Sequence, residues 1–170
     1  MTPEERAAID ERRTAFNKSL LGEDELGMVI RGHVHIEHEL EGFIRARLTK
    51  PKELDQLKLD FSGRVKLAIA LGLDERFRPA LNFVGGLRNR FAHQLDIAIR
   101  SEDARDFYKA LDEEAKEIAA TQYKATHAKF KIPGRPGDMG QLDPRDRCTL
   151  FFVVLWSAVA VAGAQARALQ

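Results

Sequence analysis

Leu87-Arg88-Asn89-Arg90-Phe91-Ala92-His93-Gln94 sets two cations, an amide and an imidazole at the end of an apolar helical run. Upstream, Leu81, Val84, Leu87 and Phe91 recur at three- and four-residue spacing, which predicts a helix with one buried face. Arg and His in a last turn gain roughly 0.3–1 kcal/mol from the helix dipole and need no further purpose there. A side chain that titrates near neutrality close to guanidinium groups can also move a proton beside a developing negative charge. In an unbroken helix Arg88 and His93 stand about 140° apart around the axis and about 7.5 Å apart along it, so they do not face one target together. Asn89 and His93, four residues apart, do. Arg88 joins them only if the helix distorts before His93 or a second copy of the stretch approaches across an interface. The Gly85-Gly86 pair costs roughly 1 kcal/mol per glycine relative to alanine, which suits a place where another backbone or a ligand comes close.

Working outward, the rest of the chain also reads as helices. Thr2-Pro3-Glu4-Glu5 is a helix start with a capping box, opening a helix to about Leu20 that Gly22 breaks. The acidic Glu23-Asp24-Glu25 opens a longer helix to about Leu48, stopped by Pro51. Leu26, Val29, Ile36, Leu40, Phe43 and Ile44 share one face of it; His33 and Glu37 fall on the same side, His35 and His38 on the other. Asp60 caps Phe61 to Leu71, with Val65, Leu67, Ala68 and Leu71 inward and Gly72 at its end. The helix of the opening stretch starts near Asp74 and takes Pro79 in its early turns. Gln94 to Arg100 reads as extended or irregular. Ser101 caps a helix to about Lys124, with Phe107, Leu111, Ile118 and Ala119 on its apolar side. Residues 132–144 hold three glycines and three prolines, which predicts an irregular loop with a mobile tip. No period-2 alternation and no internal repeat is present. The expectation is one all-α domain over residues 1–170, an up-and-down bundle of about five long helices plus short ones, closed by an apolar helix over 145–168.

The 170 residues suffice for a real core, and the formal net charge of +1 gives no global pull towards nucleic acid. Charge is nevertheless uneven. Phe61 to Arg100 holds seven Arg/Lys against three acids, whereas Ser101 to Ala120 holds three against seven. The cations gather around the opening stretch, which suits an anionic ligand. The single cysteine, Cys148, cannot form an intrachain disulfide, and the charged residues 1–13 do not resemble a secretory leader, so a cytoplasmic setting is expected. Cys148 to Ala164 is uncharged and apolar, but its 17 residues lie at the lower limit for a membrane span; a core helix or one shared with a second subunit explains it as well.

Gly32-His33-Val34-His35-Ile36-Glu37-His38-Glu39 carries three histidines. His35, His38 and Glu39 can share a face and hold a metal, yet a further ligand is not in view, and a solvated polar face is the simpler account. His33, in the apolar stripe one turn from Glu37, fits a hydrogen-bonded core or interface histidine. No phosphate-binding glycine loop, nucleophile elbow or paired C-x-x-C occurs, and neither metal nor cofactor is expected.

Arg88-Asn89-Arg90-Phe91-Ala92-His93 resembles the R-x4-6-H motif of HEPN-superfamily domains, including the polar residue directly after the arginine. The order of elements is similar to that of mannitol operon repressor-like proteins: a long helix over Met28 to Leu48, the Phe61 to Gly72 helix, the motif helix and an apolar last helix. The match covers roughly Leu26 to His93, with a looser fit beyond. The resemblance implies a homodimer whose paired motifs line a basic groove and, in active members, a metal-independent endoribonuclease. There the 2′-hydroxyl attacks the adjacent phosphate, His93 transfers protons, Arg88 holds the phosphate and Asn89 positions it. Arg90, Arg64 and Glu37 make up the expected substrate-binding set. A toxin or defence setting implies a protein antitoxin; the alternative is a non-catalytic transcriptional-regulator or binding module acting through a protein partner. The resemblance also places the last helix in a soluble bundle rather than a membrane.

Overall fold

The computed structural model describes residues 1–94, 97–130 and 134–168; residues 95–96 and 132–133, part of the segments read above as irregular, lie outside them. Among the described residues there are no strands. Seven α-helices follow one another: α1 (Pro3–Leu21), α2 (Glu25–Arg47), α3 (Phe61–Ala70), α4 (Arg78–His93), α5 (Ser101–Ala110), α6 (Glu113–Phe130) and α7 (Pro144–Ala168). Short 3-10 turns lie at Pro51–Gln56, Glu75–Phe77 and Met139–Gln141.

Local chemistry accounts for most boundaries. Thr2 and Glu5 form the expected capping box of α1, Asp24 caps α2 through the Gly27 amide, and Asp60 caps α3 through that of Gly63. Asp74 caps the 3-10 turn that runs into α4, with Pro79 in that helix's first turn. Two expectations needed correction. Ser101 is the first residue of α5 and does not cap it; the carboxylate of Asp103 instead accepts the Arg100 amide. The helix expected from Ser101 to Lys124 is two, because Leu111 turns extended and the Asp112 carboxylate starts α6 by accepting the Ala115 amide at 2.9 Å.

The axis of the bundle is α7. It packs most extensively along α2 and also meets α1, α5 and α6. Phe151, Phe152, Val154, Leu155, Trp156 and Val159 of α7 are buried against Met28, Val29, Ile36, Leu40 and Ile44 of α2 in one continuous core. The two helices come close at Gly32, where a Cβ would lie 2.6 Å from the Phe152 ring. By length and composition α7 could cross a membrane, but 67% of its most apolar window is buried in the bundle, as in a core helix. Cys148, near its start, is buried, and burial pushes its thiol up to about 12.

Two residues of the expected apolar faces turn outward: Leu26, one turn into α2, and Ile118 of α6 are exposed. The polar side of α2 differs more. Glu39 is buried and ion-paired with Arg12 of α1, while the half-buried His35 ring stacks 4.7 Å from Phe16. Both are therefore enclosed by α1, which sequence periodicity on α2 alone does not register. The loop after residue 133 is fastened: the Tyr123 hydroxyl donates to the Pro136 carbonyl, and Arg135 pairs with Asp146 at 2.9 Å.

Candidate functional site

Three helices build a depression of about 530 Å³ around the first half of the motif. From α2 come His33 and Glu37, from the start of α3 Asp60, Phe61 and Ser62, and from α4 Asn82, Gly85, Gly86, Arg88 and Asn89. The glycine pair does two different things. A Cβ at Gly85 would stand 2.9 Å from the Phe61 ring, so this glycine permits the close packing of α3 on α4. A Cβ at Gly86 would meet nothing within 4 Å, so its backbone faces open space in the depression.

The motif residues divide. The Arg88 guanidinium is half-buried and donates to Asn89 Oδ1 at 3.1 Å, and among the described residues no carboxylate lies within ion-pair distance of it. His93, the last residue of α4, is exposed; it does not line the depression, and among the described residues it has no hydrogen-bond or ion-pair partner. The helix is regular through His93, so the separation computed for an unbroken helix applies within one subunit. Arg90 points elsewhere. Its Nη2 stands 2.7 Å from Oδ1 of the buried Asp103, whose other oxygen accepts the Arg100 amide at 2.8 Å. Together with the Ile99 amide bonded to Glu25 Oε2 at 2.7 Å, this ties the chain beyond α4 to the bundle. Arg90 thus holds a structural carboxylate.

Arg64 and Glu37 meet each other. Arg64 Nη1 lies 3.1 Å from Glu37 Oε1 and also donates to the Leu59 carbonyl, so the pair braces α3 against α2 at the edge of the depression. The histidine that shares the depression with Arg88 is His33. Its ring packs 4.3 Å from Phe61, and burial, followed by the charge of Arg88, lowers its pKa from 6.5 to about 4. At neutral pH it is an uncharged imidazole. Sequence reasoning put His33 one turn from Glu37 as a hydrogen-bonded histidine, whereas its Nδ1 stands 4.0 Å from Glu37 Oε2; it missed that His33 shares the depression with Arg88, because that proximity joins two helices far apart in the chain. His38 is exposed and Glu39 is taken by Arg12; among the described residues no group of three His, Cys, Asp or Glu side chains is disposed to hold a metal ion. The arrangement offers a guanidinium that no carboxylate among the described residues neutralises, amides beside it, and an exposed imidazole at the end of the same helix. No family model, curated protein or solved structure matches the chain.

Proposed function

We propose that the protein is a HEPN-type endoribonuclease, working as a homodimer and without a metal. The observation that carries this reading is that Arg88 and His93, the two ends of the R-x4-6-H motif, have no ion pair among the described residues, in a bundle where the neighbouring Arg64 and Arg90 are engaged. A guanidinium left without a carboxylate is available to a phosphate, which it can bind in bidentate fashion. An exposed imidazole keeps its capacity to exchange protons with a substrate. The single-subunit separation of the two favours a site completed by the same helix of a second copy, with the paired motifs lining one groove.

In that groove the RNA 2′-hydroxyl gives up its proton to His93 and its oxygen attacks the adjacent phosphorus. The bond to the 5′-oxygen breaks, that oxygen takes a proton, and a 2′,3′-cyclic phosphate remains. Arg88 stabilises the charge developing on the non-bridging oxygens, and Asn89, bonded to Arg88, fixes its direction. This reading assigns α2, α3, α4 and α7 to the long helix, the following helix, the motif helix and the apolar last helix of a HEPN-like layout, and the toxin or defence setting is part of the same reading.

The test is cleavage of a mixed RNA pool by purified protein in EDTA beside His93→Ala, with the product ends analysed. Discrete 2′,3′-cyclic ends from wild type, absent from a folded variant, are expected. Equal inertness of the two would end the nuclease reading. One observation favours a second reading in that event: His93 does not line the depression that Arg88 does, which suits a non-catalytic module that binds an anionic ligand or a regulatory partner.

A further inference from the structure

A phosphate on Arg88 leaves most of the depression unused, since about 530 Å³ lies within the range of small-molecule sites. One side chain on its wall, buried as a residue, has no hydrogen bond among the described residues. His33 is only 5% exposed, yet its Nδ1 stands 4.0 Å from Glu37 Oε2, beyond hydrogen-bond reach. Its ring nitrogens are not among the atoms sealed from solvent, so the polar edge of the imidazole opens onto the cavity, where a ligand can take the place of water. The remaining walls are unlike a pure anion site. Glu37 and Asp60 bring carboxylates, Asn82 and Asn89 bring amides, and Ser62 brings a hydroxyl, so donors and acceptors are both present. Arg64 offsets the charge of Glu37. A second phosphate would be repelled by these carboxylates, whereas a flat heteroaromatic ring with donors and acceptors on its edge would meet both.

We infer that the depression is a nucleobase subsite next to the phosphate position at Arg88, in which the polar edge that His33 turns to the cavity bonds the base. The ligand is a nucleoside monophosphate unit, free or within an RNA chain; the inference rests on the proposed assignment of phosphate to Arg88. The neutral state of His33 suits this role, because a charged imidazole would set a second cation against Arg88. His33 therefore supplies a directional hydrogen bond, and Asn82 of α4 and Ser62 of α3, which also line the depression, read the rest of the edge.

Titration calorimetry tests this without any scissile bond, using the four ribonucleoside 3′-monophosphates, inorganic phosphate and a fully 2′-deoxy-substituted tetranucleotide. At least one nucleotide is expected to bind about tenfold more tightly than inorganic phosphate, and Asn82→Ala or His33→Gln to remove most of that advantage, the size expected of one or two hydrogen bonds left unmade. Phosphate binding stays unchanged in both variants and weakens in Arg88→Ala. Base-dependent binding of the monomers assigns the subsite to free nucleotides; base dependence seen only with the tetramer assigns it to a nucleic acid chain, and either supports the inference. Nucleotides that bind no better than inorganic phosphate, with tetramer affinity indifferent to the exposed Asn82, overturn it. Cleavage without base-dependent binding sinks the subsite alone, and base-dependent binding without cleavage sinks the nuclease alone.

Discussion

His33 couples the depression to the stability of the bundle. Its pKa is about 4 when folded against an ordinary 6.5, so the unfolded chain takes up the proton first as pH falls. The contribution of this residue is complete above about pH 6.5 and is lost progressively towards pH 4, by at most about 3 kcal/mol. Urea midpoints at pH 7 and pH 4.5 check it: wild type should lose more stability over that interval than His33→Gln, and parallel losses would contradict the assignment. Arg12 and Glu39 make a second residue-scale prediction. Glu39 is 6% exposed and Arg12 is its only ion-pair partner among the described residues. Arg12→Ala leaves a buried carboxylate unpaired and should cost about 1–3 kcal/mol. Adding Glu39→Gln to that variant should recover part of the loss, since no buried charge then remains.

At the scale of elements, helix crossings set the tolerances. Gly32→Ala forces a methyl into the Phe152 ring where α2 crosses α7, and should destabilise by about 1–3 kcal/mol in thermal or chemical unfolding. Gly86→Ala meets no atom and replaces a helical glycine, so it should stabilise the isolated subunit by roughly 0.5–1 kcal/mol. If that stabilised variant also cleaves RNA more slowly, the α4 backbone at this point is approached by substrate or by the second copy. The elements themselves were well marked in the sequence, because caps act within four residues: Thr2 with Glu5, Asp24 and Asp60 all announce their helices. The break between α5 and α6 was hidden by continuous helical periodicity across Leu111, where only the cap chemistry of Asp112 separates two helices that read as one. The burial of Glu39 was equally hidden, since it depends on α1 crossing a face of α2 that looks polar in isolation.

For the whole molecule, the all-helical class followed from the absence of period-2 alternation, whereas the apolar run of α7 fitted a membrane span, a core helix or a shared helix alike until its burial in the bundle was seen. The site was only half legible. The four-residue spacing put Asn89 and His93 on one side, yet Asn89 lines the depression with Arg88 and His93 does not; His33 comes to share the depression with Arg88 through tertiary packing, and the engagement of Arg90 by Asp103 required knowing where α5 returns. The dimer reading makes its own prediction at this scale. If Arg88 of one copy works with His93 of the other, mixing inactive Arg88→Ala and His93→Ala proteins under exchange conditions should restore part of the RNA cleavage, because one of the two sites in a mixed dimer is intact. No restoration, with exchange demonstrated, would place any active site within one subunit. Finally, the sole cysteine sits at the heart of this bundle, near the start of α7, fully shielded from solvent and with little thiolate at neutral pH. A disulfide reagent can reach it only when α7 leaves its neighbours, so the rate at which the native protein is labelled is a clock for the opening of the core, readable without any engineered probe.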